Sequence, residues 1–163
     1  MKKRITKKVW INRKRHKILM LILIFSFFQC SQLKKLQLGD PLPYKFKGRG
    51  NNTYVLTSPS SASLIYKFKF AGIKYKYGVN EKGIIDYIST VDPDFKTEEG
   101  FSISSTFSEI TKKVGKKLRK ERGWAYFIPL KSGWNAAFAC GRHMTDCYPN
   151  NNDKVRFFFK RSW

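Results

Sequence analysis

From residue 64 the chain alternates. Leu64, Tyr66, Phe68 and Phe70 fall on one side of an extended backbone and Lys67 and Lys69 on the other, a period of two that predicts a half-buried strand. The pattern resumes after Ala71-Gly72, with Ile73, Tyr75 and Tyr77 set against Lys74 and Lys76. Asn80-Glu81-Lys82-Gly83 then reads as a hairpin turn into a further strand over 84–91. Strand formers recur at 124–130, 134–139 and 154–160. In the last, Val155, Phe157 and Phe159 are expected to face inward and Lys154, Arg156 and Lys160 outward.

One segment breaks this period. Thr106-Phe107-Ser108-Glu109 is a capping box, in which the Thr hydroxyl and the Glu carboxylate each satisfy a backbone amide that a helix start leaves orphaned. Phe107, Ile110 and Val114 follow as a narrow apolar stripe. Lys112 and Lys113 suit the negative end of the helix dipole, and Gly115 is placed to stop the helix. The expected fold is therefore α+β: a small antiparallel sheet with one short packed helix, after an N-terminal signal segment.

The front of the chain has a different character. Residues 18–28, ILMLILIFSFF, form an apolar run interrupted only by Ser26. As a helix this run is about 16 Å long, against the roughly 30 Å of a bilayer's hydrocarbon core. Nine Lys or Arg side chains precede it within residues 1–17, and no acidic residue occurs before Asp40. A basic segment, a short apolar run and an abrupt return to polar residues make a secretory signal. No small-x-small cleavage site follows the run, whereas Cys30 stands at its polar edge.

This segment resembles the signal of bacterial lipoproteins, in which the cysteine after the lipobox is acylated and becomes the new N-terminus. Phe27 and Gln29 make the box a loose one, similar to those of spirochaetes and some other diderm bacteria. The resemblance implies lipidation at Cys30, a membrane anchor and a place in the cell envelope. Ser31, where aspartate is similar to an inner-membrane retention signal, leans towards the outer membrane. The alternative for the same residues is an uncleaved signal anchor with an idle Cys30.

Setting Cys30 aside leaves Cys140 and Cys147, which an oxidising compartment would join in a disulfide closing a short loop. The stretch Cys140-Gly-Arg-His-Met-Thr-Asp-Cys147 also admits a metal reading through Cys140, His143, Asp146 and Cys147, at a spacing that matches no familiar zinc pattern. No metal and no cofactor are expected. Three regions follow: a signal at 1–29, a lipidated N-terminus and Pro/Gly-containing tether at 30–53, and one α+β domain at 54–163.

The net charge of +22 belongs partly to the signal; without residues 1–29 the chain keeps 24 basic and 11 acidic side chains, a net +13. That excess still draws the domain to anionic surfaces. It is concentrated after the helix in Lys112, Lys113, Lys116, Lys117, Arg119, Lys120 and Arg122, read either as an anionic-surface site or as a solvated loop. On a membrane-held domain each such cation near an anionic leaflet adds about 1 kcal/mol. Lysine-aromatic interleaving at 66–77 is also the composition of a single-strand nucleic-acid platform. Strict alternation puts the rings and the lysines on opposite faces, however, and export argues against a nucleic-acid partner.

For catalysis the chain is poor. His143 is the one histidine after the signal, and Glu98-Glu99 and Asp92-Pro93-Asp94 lie in turn-like sequence. No phosphate-cradling loop or nucleophile elbow is present, so no enzymatic activity is expected. The stretch from Gly100-Phe101-Ser102-Ile103 through Thr106-Phe107-Ser108-Glu109-Ile110 to Gly115 resembles an element of small envelope lipoproteins with a beta-lactamase-inhibitor-like fold, with Ser104 where glycine is usual. That resemblance implies a sheet with a packed helix and a binding or structural role. The first reading is thus a lipid-anchored, non-catalytic envelope module whose partners are anionic lipid or another envelope protein. The second is a secreted inhibitor or effector that meets an acidic macromolecule through the loop carrying Arg142 and His143.

Overall fold

The computed structural model describes residues 35–44 and 53–162. The signal segment, Cys30 and most of the expected tether lie outside the described residues. Residues 35–163 belong to one compact unit. Eight strands make one antiparallel sheet: β1 (Tyr54–Ser58), β2 (Ser61–Phe70), β3 (Ile73–Val79), β4 (Ile85–Thr90), β5 (Arg119–Glu121), β6 (Ala125–Pro129), β7 (Asn135–Phe138) and β8 (Phe157–Arg161). Their spatial order is β1-β2-β3-β4-β8-β7-β6-β5. Two four-stranded meanders therefore meet where β8 pairs with β4. The one α-helix among the described residues, α1 (Phe107–Val114), lies in the connection from β4 to β5. An antiparallel sheet with one short helix is what was expected, but the sheet is large rather than small and dominates the domain.

The alternation in β2 and β3 works as read. Tyr66 pairs with Tyr77 and Phe68 with Tyr75, and the Phe68 and Tyr77 rings stack with centroids 4.2 Å apart. Tyr75 and Tyr77 are buried, with Phe68 and Phe70 half-buried around them. Phe107 and Ile110 of α1 pack on this same face, which we call the helix face. Burying each such side chain contributes about 1.5–3 kcal/mol, and this cluster is the main core.

The other face has a core of its own, formed by Ile65, Tyr87, Trp124, Phe127 and Phe159. Val155, Phe157 and Phe159 face inward as expected and Lys154 and Arg156 outward, but the inward residues are divided between two cores and Phe158 is buried as well. Phe158 points to the helix face and Phe159 to the second face, and both are wholly buried. A central strand covered on both sides carries a continuous apolar run rather than an alternation, and Phe157-Phe158-Phe159 is that run. Lys160 is likewise not simply outward: it donates to the Ser132 carbonyl at 2.7 Å and lies over the Trp134 ring.

Twist explains how one sheet closes on both sides. Strand-to-strand rotation accumulates over eight strands and lets distant strands approach one another along the diagonals of the sheet. Along one diagonal, β1 reaches the β5–β6 turn: Trp124 Nε1 donates to the Leu56 carbonyl at 3.0 Å. Arg161 clasps the same corner, donating to the Thr57 carbonyl at 3.0 Å and pairing with both carboxylate oxygens of Glu121. Along the other diagonal, Tyr75 meets Phe95 and Trp134 on the helix face. The second core does not reach the tip of the β2–β3 hairpin, where Lys67, Lys69 and Lys74 are exposed.

Residues 35–44, expected to belong to a tether, are folded onto the start of β4. Gly39 N–H donates to the Ile85 carbonyl at 2.8 Å, Leu42 N–H to Gly83 at 2.9 Å and Ile85 N–H to Asp40 at 2.9 Å. Leu42 is buried and Leu36 and Leu38 pack against the main core. No helix among the described residues is long and apolar enough to cross a membrane.

Candidate functional site

The basic run begins on α1, whose capping box forms as its residues dictate. Thr106 N–H donates to Glu109 Oε2 at 2.7 Å, and Glu109 N–H to the Thr106 hydroxyl at 3.2 Å. Gly115, at φ 81°, ends the helix with its N–H bonded to the Thr111 carbonyl, and the chain turns back into β5. The run was read as helix end and loop, but Arg119–Glu121 is an edge strand. Charged side chains on an edge discourage pairing with other chains, so part of this charge has a structural use. All seven cations are exposed.

They do not act as one patch. Lys113 reaches back to the Glu99 carbonyl and lies 5.3 Å from the Phe101 ring centroid, which ties down the loop before the helix. Lys116 and Lys120 instead flank a pair of tyrosines. Lys116 lies 5.3 Å from the Tyr148 ring and Lys120 5.1 Å from Tyr126, and the two rings stand 5.8 Å apart. With Leu118 and Arg119 these residues line an open cleft of 370 Å³. Rings hold the cations by their π faces, so each ammonium group is placed over its own tyrosine at a cleft whose lining includes no carboxylate. The arrangement suits an anion bearing several oxygens.

Tyr126 lies in the strand expected at 124–130 but carries no site signal in the sequence, and Tyr148 belongs to no expected element. Tyr126 is the second residue of β6, paired with Lys120 of β5. Tyr148 follows the Cys140–Cys147 disulfide, whose Cα atoms are 5.3 Å apart. Within that loop His143 N–H donates to Asp146 Oδ2 at 2.9 Å, and Gly123 N–H donates to the Thr145 hydroxyl at 2.9 Å, fastening the loop to the β5–β6 turn. Tyr148 is brought to the cations by these tertiary bonds, and no local signal announces it. Arg142 and His143 are exposed on the loop. With both sulfurs in the disulfide, the metal reading of Cys140, His143, Asp146 and Cys147 loses its two thiolates. No cluster of three or more potential metal ligands occurs among the described residues.

Asp92 and Glu99, from the two turn-like acidic stretches, serve the fold. Asp92 accepts the Lys74 N–H at 2.9 Å and the Asp94 N–H at 3.0 Å. Those two bonds hold its carboxyl below the ordinary range. For Glu99, partial burial opposes ionisation, but the Ser132 N–H at 2.7 Å and hydroxyl at 2.8 Å outweigh it. Its carboxyl also stays low. Each is a stable anion that accepts hydrogen bonds, the opposite of a poised acid.

Comparison of the chain with protein-family models, with curated proteins and with solved structures finds no match.

Proposed function

We propose that this chain is a lipoprotein of the cell envelope, held at a membrane by acyl chains on Cys30, whose folded domain is a non-catalytic binding module. The observation that carries the reading is the fate of the cysteines. Of three in the chain, two are consumed in the Cys140–Cys147 disulfide, a bond that belongs to oxidising compartments. Cys30 is left over, at the polar edge of a short apolar run behind nine cations. The outer membrane of a diderm bacterium is the favoured location, on the form of the lipobox and Ser31.

The cleft formed by Lys116, Arg119, Lys120, Tyr126 and Tyr148 supports a role in meeting an anionic partner. A tethered domain meets anionic headgroups at high local concentration, so modest attraction of about 1 kcal/mol per cation adds usefully to a single anchor. Metabolic labelling with a fatty acid in a diderm host tests the anchor. Label should enter the wild-type chain and be absent from Cys30→Ala, with the variant leaving the membrane fraction; equal labelling of both would end the reading. The exposed Arg142 and His143 keep a second reading in view, a secreted inhibitor or effector, which predicts an unlabelled chain released to the medium.

A further inference from the structure

We propose that the tip of the β2–β3 hairpin is a second anion-binding surface, one that rests on phosphate-bearing lipid headgroups with its apolar end directed at the bilayer. The proposal rests on the reading of the chain as a membrane-held protein, and it concerns residues outside the basic run after α1.

Register places Lys67 directly opposite Lys76 and Lys69 directly opposite Lys74. Strands about 4.8 Å apart and a side-chain repeat of about 6.8 Å along each strand arrange the four stems as a compact array on one face. Like charges directly opposite one another destabilise a strand pair. Among the described residues the Asp92 carboxylate, which accepts the Lys74 backbone N–H at 2.9 Å, attracts Lys74 and Lys69 and offsets part of this repulsion. Three of the four are exposed and Lys76 is half-buried. The lysines alternate with Tyr75 and Tyr77 of the main core and lie beyond Ile65, where the second core has no residue, so the array looks outward rather than into the protein. Four cations set against the Asp92 carboxylate leave the cluster net positive, and an external anion supplies further negative charge.

The hairpin's end selects the kind of anion. Its turn is Ala71-Gly72, flanked by the paired, half-buried Phe70 and Ile73. Ala71 is exposed and sits at φ 46°, a left-handed conformation that costs a residue with a Cβ about 1–2 kcal/mol and that two-residue hairpins ordinarily give to Asn or Asp. An apolar side chain is thus retained at the tip against local preference. Val91, 52 % exposed, follows β4 two residues beyond Ser89, the partner of Lys76. Apolar tip and lysine flank match an interfacial element that buries its end at the headgroup boundary while ammonium groups remain among the phosphates. A linear polyanion would use the lysines and leave the tip unexplained.

Amide hydrogen exchange of the full chain, bound to phosphatidylcholine vesicles with or without phosphatidylglycerol, tests this. Exchange at Ala71, Gly72 and Lys74 should slow roughly tenfold or more on the anionic vesicles and revert in high salt. The same slowing should be lost in Lys67→Gln/Lys69→Gln/Lys74→Gln/Lys76→Gln and kept in the four Lys→Arg changes. Thermal unfolding of the glutamine variant should stay cooperative and close to wild type, since lysine–lysine repulsion and the attraction of Lys74 and Lys69 to Asp92 are removed together; this separates lost binding from lost folding. Equal exchange on both vesicles overturns the proposal, as does protection by single-stranded DNA without protection by vesicles. Loss of protection only in Lys116→Gln/Lys117→Gln/Arg119→Gln/Lys120→Gln would assign the membrane surface to the other site and overturn it as well. Acylation of Cys30 is read separately by mass, so either idea can fail alone.

Discussion

Tyr77 shows what a single side chain can reveal. It is wholly buried, stacked on Phe68, and its hydroxyl has no hydrogen-bond partner among the described residues. An unsatisfied buried hydroxyl costs about 1–3 kcal/mol, and burial also pushes its ionisation far above the ordinary phenol range. Tyr77→Phe should therefore raise the urea midpoint with an unchanged slope; a loss of stability would mean that the hydroxyl has a partner. At Asp92 and Glu99 the sign is reversed. Hydrogen bonds hold both carboxyls below their unfolded values, so their contribution is complete above the unfolded carboxylate pKa, about 4. It is lost as pH falls through the lower folded values. The stability gap between wild type and Glu99→Gln, measured by urea unfolding, should close in that acid range; a gap that widened there would contradict the assignment. Residues of this kind were only half legible. The alternation marked Tyr77 as inward, whereas the Ser132 bonds that occupy Glu99 join positions 33 apart in sequence.

Elements were legible where their cause is local. Thr106 and Glu109 cap α1 within one turn, and the 2-residue period of β2 and β3 reports a face that is half-buried from Leu64 to Phe70 and buried at Tyr75, Tyr77 and Val79. β1 and β5 carried no such signal. Arg119-Lys120-Glu121 is a strand because Ala125, Tyr126 and Phe127 offer it a ladder, and a charged edge strand reads as loop in isolation. β8 misled in another way, since its three phenylalanines serve two cores. Gly78 shows how tightly the elements meet. A Cβ there would stand 2.9 Å from Ser63 Cβ and 3.0 Å from Tyr87 Cβ, so the strand must stay bare for its neighbours to pack. Gly78→Ala should cost about 1–3 kcal/mol by overpacking, read as a lower thermal midpoint. An unchanged midpoint would show that β3 moves freely between β2 and β4.

For the whole molecule, the candidate site was visible in the sequence only as charge. Seven cations were in view, but which of them cooperate depends on Tyr126 and Tyr148, and Tyr148 depends on a disulfide loop pinned to Gly123. The hairpin lysines were visible too, as the polar half of an alternation, and their mutual opposition emerges only from register. The disulfide, the clasped corner and the two separate cationic surfaces are what the proposed reading of a membrane-held domain draws on, and Cys30 is what would hold it there. The most direct test is the intact mass of the protein purified from membranes of its native host, before and after reduction. The account predicts a chain beginning at Cys30 with added acyl mass, gaining about two daltons when the Cys140–Cys147 bond is reduced. A full-length, unacylated chain with free thiols would contradict it.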